Sequence, residues 1–130
     1  MRKYNETRNR TFLNTADLTG KAGYVMAYDT SNVGQVVVAN AQTLPICGIL
    51  LVENQQTLTK SRVTVVTGSL GTVPGVYGGT ISIGDWLTAD TAGKLITTTT
   101  NKDHVVARAL EAGSTGEIHP VEKVDFTLSS

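Results

Sequence analysis

From residue 23 onward the chain falls into short runs in which apolar and β-branched side chains alternate or cluster, each run closed by Gly, Asp, Asn or Ser. A period of two over such short stretches is the pattern of half-buried strands, and the intervening residues are those that form tight turns. The runs predict strands over 23–28, 35–39, 46–52, 62–67, 80–83, 85–88, 94–99, 104–111 and 117–124. No long segment carries apolar residues at helical spacing. Many short strands closed by turn residues imply an all-β body, a small barrel or sandwich.

Composition strengthens this expectation. Twenty Thr, fifteen Val and six Ile make up 41 of 130 residues. Side chains branched at Cβ lose rotamer freedom in a helix and pack well on a pleated surface. Two turns stand out, Asp90-Thr91-Ala92-Gly93 and Gly113-Ser114-Thr115-Gly116, each with Gly where a positive φ is expected. The stretch 68–80 contains five glycines and predicts a Gly-rich connector between two halves, about 21–67 and 81–124. Those halves resemble each other: Gly23 to Thr30 aligns with Gly84 to Thr91 at an offset of 61, and Gly34 to Val37 with Gly93 to Ile96 at an offset of 59. The second offset also aligns Pro45 to Glu53 with His104 to Ala112, so the chain predicts two copies of one β unit around a shared core.

Charge divides the chain differently. The totals are 11 basic and 11 acidic residues, a formal charge of zero. Residues 1–20 hold Arg2, Lys3, Arg8 and Arg10 against Glu6 and Asp17, a net +2, which leaves −2 for residues 21–130. The first twenty residues show no strand or helix period and predict an extended basic arm before a single domain over 21–130. A neutral chain has no broad positive field for a phosphate backbone, so no nucleic-acid partner is expected. The longest apolar run, Ile46 to Val52, is far below the roughly 20 residues of a membrane-spanning helix, and no membrane partner is expected either. The amino terminus has no apolar run behind its basic residues and is expected to remain in the mature protein.

Candidate chemistry is sparse. Cys47 lies among Ile46, Ile49 and Leu50 with no neighbouring cation to stabilise a thiolate, which marks a structural cysteine. His104 and His119 lack metal-ligand spacing, and the carboxylates are scattered, Asp29 and Asp90 being turn formers. Ala22-Gly23-Tyr24 resembles the start of a trimeric dUTPase motif, but Val25 stands where that motif needs an aspartate. The expectation is a protein that is not an enzyme, with no catalytic residues, cofactor or metal. Residues that could serve a partner are Arg2, Lys3, Tyr4, Arg8, Arg10 and Phe12 on the arm. Tyr77, on the Gly-rich connector, joins them as an alternative to the plainer assignment that it shares with Trp86, that of a core or loop aromatic.

The second half carries a family resemblance. Ile83 to Thr97, containing Gly84-Asp85-Trp86 and Gly93-Lys94, is followed by Val105-Val106-Ala107-Arg108-Ala109-Leu110-Glu111-Ala112 and the turn into Glu117. These segments resemble the closing strands of tailed-bacteriophage capsid cement, or head decoration, proteins. Gly48-Ile49-Leu50 and Val63 to Gly68 match more loosely, so that the resemblance spans about residues 20–125. It implies a structural virion protein, made in the host cytoplasm and placed on the outer surface of the phage head, which forms a homotrimer, binds the major capsid protein and stabilises its contacts. The alternative is a surface-exposed adhesion or fibre-associated module that binds a host glycan or receptor.

Overall fold

The computed structural model describes residues 9–14, 18, 20–42, 45–51, 62–67 and 71–129. Among them there are ten strands and no helix, which is the all-β class that the sequence predicts. The strands are β1 (Asn9–Asn14), β2 (Val25–Tyr28), β3 (Gln35–Val38), β4 (Ile46–Leu51), β5 (Arg62–Val66), β6 (Thr72–Val76), β7 (Trp86–Ala89), β8 (Leu95–Thr97), β9 (His104–Ala109) and β10 (Ile118–Thr127). The first five close a barrel in the order β1-β3-β2-β4-β5, and the last five form a sheet in the order β6-β10-β9-β7-β8. A parallel bridge between Tyr77 and Leu95 links the two edges of that second sheet, making it a second, more open barrel.

The two halves are one unit used twice, down to the register. Val25 opposite Ile49 is repeated as Trp86 opposite Arg108, and Met26 opposite Val38 as Leu87 opposite Thr97. The parallel pair Asn14 and Val36 that closes the first barrel has its counterpart in Tyr77 and Leu95. Loop bonds repeat as well: Gly23 N–H donates to Leu50 O as Gly84 N–H does to Ala109 O. Asp29 accepts from Ser31 N–H as Asp90 does from Ala92 N–H, each carboxylate closing its turn.

Three sequence expectations differ from the structure. The arm is not separate from the body over its whole length, because β1 pairs antiparallel with β5 along five residues and is needed to close the first barrel. The connector is not a plain loop, because its Thr72–Val76 is β6, the counterpart of β1 in the second barrel, paired with β10. Both segments lack apolar alternation, and both become strands because a neighbouring edge offers a full ladder of backbone partners. Residues 80–83 form a turn with one isolated bridge, Ile81 to Gly113, rather than a strand.

The apolar side chains sort into two clusters. Leu18, Met26, Val36, Cys47, Leu50, Val63 and Val65 fill the first barrel. The other cluster fills the second barrel and also takes in Val25, Ala27, Ile49 and Val66, which point outward from the first. The barrels therefore share a core, and hydrogen bonds from Val25 N–H to Gly93 O (2.7 Å) and from Val76 N–H to Gly23 O (3.2 Å) stitch the seam.

Candidate interaction surface

The residues expected to meet a partner separate into three groups. Arg2, Lys3, Tyr4 and Arg8 lie outside the described residues. Arg10 and Phe12 lie on β1: Arg10 is exposed, while Phe12 is half-buried, packs against the first-barrel core and meets Tyr28 edge to face at 6.0 Å. Tyr77 is completely buried and is a core anchor rather than a contact residue. Its hydroxyl donates to Glu111 O at 2.7 Å, and its ring lies against the His119 imidazole at 4.8 Å. The turn after β6 carries Tyr77 inward because its main chain is pinned on both sides, N–H to Glu117 O and C=O from Gly116 N–H.

Above Tyr77 sits the most concentrated charge cluster among the described residues. His119 Nδ1 lies 2.7 Å from Glu111 Oε1 and Nε2 lies 2.9 Å from Glu117 Oε1. Both contacts are donor bonds only when the ring carries two protons, so Glu117 and Glu111 raise the His119 pKa above its ordinary value. The His119 hydrogen bond, with that from Ser114 N–H, in turn lowers the Glu117 pKa. Stability from the raised His119 is complete below its unfolded value near 6.5 and is lost as pH rises through the folded value. Stability from the lowered Glu117 is present above about 4.5 and is lost as pH falls. The cluster thus contributes most between those values. His119→Gln is expected to flatten the thermal midpoint between pH 5.5 and 8, roughly the range in which a perturbed His titrates, whereas the wild-type midpoint falls as pH rises through it. A parallel decline in both proteins would remove the cluster from that dependence.

Cys47 is a buried free thiol, as the sequence suggests, and burial pushes its pKa up to about 11. Lys123 is buried beside it on β10, its ammonium donating to Val124 O at 2.8 Å, and burial lowers its pKa to about 8. His104 bonds Asp125, far from the His119 cluster in the pairing of the sheet. Among the described residues no group of three His, Cys, Asp or Glu side chains is placed to hold a metal ion.

What the sequence did not single out is the outer face of the second sheet. Cross-strand register sets Trp86, Arg108, Glu122 and Thr72 in one row. The Arg108 guanidinium lies over the Trp86 ring at 5.0 Å, and Phe126 meets that ring edge to face at 5.0 Å. Ile83, Leu110 and Ile118 are exposed on the same half of the molecule, at 70%, 38% and 65%. Pro74 and Pro120, directly opposite each other on β6 and β10, add further exposed apolar surface. The signal for this face was present as the replacement of Val25 and Ile49 in the first copy by Trp86 and Arg108 in the second.

No protein-family model matches the chain, and no curated protein matches it by sequence. Among solved structures, the fold is similar to the crystal structure of the N base of head fibre gp8.5 of bacteriophage phi29. That likeness has a TM-score of 0.65 at 18% sequence identity and covers 94% of this chain and 98% of the other. It shows that the two-barrel arrangement is a shared fold.

Proposed function

We propose that this protein is a structural component of a bacteriophage head, a decoration or cement protein that binds the outer surface of the capsid and stabilises contacts between major capsid protein subunits. The observation that carries the proposal is the fold likeness over nearly the whole chain to the base of a phage head fibre. The resemblance of the segments around Gly84-Asp85-Trp86 and Ala109-Leu110-Glu111-Ala112 to cement proteins points the same way. The mechanism is mechanical: a rigid β body offers a fixed surface, and several copies joined in a homotrimer bind together with an avidity that a single contact lacks. No catalytic step is part of it. The structural neighbour, itself the base of a head fibre, also favours a second role, in which this chain is the base of a fibre or adhesion module that presents a host-binding segment.

Since β1 closes the first barrel, the arm is tested by removing residues 2–8 and no more. The truncated protein is expected to keep its thermal unfolding transition and to lose affinity for undecorated heads, measured by co-sedimentation. Unchanged affinity would take the arm out of the mechanism. Electron microscopy of heads with and without the full-length protein separates the two roles, since a cement protein lies flat across subunit boundaries and raises the temperature at which heads burst. A fibre base projects from the head and leaves that temperature unchanged.

A further inference from the structure

We propose that copies of this chain join head to tail, the first barrel of one docking on the second barrel of the next through the same contact that joins the two barrels within a chain. Because the fold is duplicated, each element of the internal seam has a counterpart elsewhere in the chain. On the receiving side of the seam, Gly23, Val25, Ile49 and Val66 of the first barrel are covered by the second, and all four are buried. Their counterparts in the second barrel are Gly84, Trp86, Arg108 and Glu122. Among the described residues nothing covers this equivalent face: Arg108 and Glu122 are exposed, and a Cβ on Gly84 would meet only the Arg108 guanidinium, at 4.0 Å. The end of β10 lays Phe126 beside Trp86 and leaves Ile83 and Leu110 exposed. In the first copy the counterpart of Leu110 is Leu51, which packs against the shared core.

The inserting side shows the same asymmetry. Within the chain, Pro74 and Val76 of β6 and Gly93 of the β7–β8 hairpin approach the first barrel, where Gly93 lies against Val25 O, Ala39 O and the Val38 side chain. The first-barrel counterparts are Thr11, Leu13 and Gly34. Those three, with Phe12, line an open recess, and no other described residue lies within 4 Å of a Cβ built on Gly34. The β2–β3 hairpin is also two residues longer than its counterpart, and the extension carries Val33 at full exposure. Among its described residues one molecule thus ends in an inserting surface and a receiving surface that the internal seam does not use, each with exposed apolar side chains, and the partner that fits both is a second copy. A contact between unlike surfaces is heterologous, closing into a ring when its rotation divides a full turn and otherwise growing into a filament.

Head-to-tail joining gives the homo-oligomer of the proposed function a geometry, and its test uses the purified full chain alone, so it can fail while head binding stands. Val33→Asp and Thr11→Glu alter the inserting surface; Ile83→Asp and Leu110→Asp alter the receiving one. All four positions are exposed, and circular dichroism melts check that each variant folds. Mass by size exclusion with light scattering is expected to show an oligomer for the wild type and a monomer for each variant alone. An equimolar mixture of Val33→Asp with Ile83→Asp is expected to form a dimer, since one intact inserting surface then meets one intact receiving surface. A monomeric wild type at high micromolar concentration, variants that still associate alone, or a mixture that stays monomeric would each overturn the proposal.

Discussion

Replacing Gly48 by alanine is expected to cost the fold about 3 kcal/mol or more, at the upper end of what overpacking a core position does. Gly48 sits on β4 where the register against β2 shifts between Met26 and Ala27, a bulge that turns its α-carbon toward β5. A Cβ there would fall inside the contact distance of the Val66 carbonyl oxygen and crowd the Val66 carbonyl carbon and Val65 Cγ1. Backbone cannot step aside as a flexible side chain can, so the strain has to be spread through the β4–β5 ladder. The duplicated fold provides the control: Ala107 occupies the same place in the second barrel, opposite Leu87 as Gly48 is opposite Met26, and it is fully buried without conflict. Ala107→Gly is expected to cost only about 1 kcal/mol, from the lost methyl group and the added freedom of a strand glycine. Urea unfolding of the two variants measures the contrast. Equal losses would show that the clash at Gly48 is relieved at little cost.

Removing the Tyr77 side chain is the second large effect. Tyr77→Ala is expected to lose about 3–5 kcal/mol, the range for emptying a buried aromatic site. The ring belongs to the cluster that fills the second barrel and meets the first, it supports His119, and its residue closes the β6–β8 edge through Leu95. Tyr77→Phe keeps the ring and gives up only the bond to Glu111 O, expected to cost about 1 kcal/mol. Should Tyr77→Ala lose no more than Tyr77→Phe, the ring would not be the element that fills the site. The pair also bears on partner binding, because the phenylalanine variant should bind heads as the wild type does if Tyr77 acts only inside the core.

Eight of the ten strands could be found along the chain from local alternation and turn residues, and those missed share a reason. β1 contains Asn9, Arg10, Thr11 and Asn14, and β6 contains Pro74 and Gly75, so neither displays an alternating apolar stripe in its sequence. Their ladders are held by residues about fifty places away, β1 by β5 and β6 by β10, and no window of ten or so residues holds both partners. The arm and the connector therefore looked unlike the body while being its two equivalent closing strands. Tyr77 stayed open for a related reason: a single aromatic in a Gly-rich segment favours a core or loop place but leaves a contact role as an alternative, and what decides is the pair of main-chain bonds to Glu117 and Gly116.

By itself the sequence determined the fold class, the buried thiol and the duplication, because side-chain branching, apolar clustering and turn chemistry are local properties repeated along the chain. Its −2 body and +2 amino-terminal segment were legible too, although part of that segment proved to be barrel wall. Only the tertiary structure decided which copies of equivalent residues are covered. Val25 and Trp86 occupy the same place in the unit, and one is sealed in a shared core while the other lines an open face. That difference arises because the second barrel packs on the first and, among the described residues of one chain, nothing packs in the same way on the second.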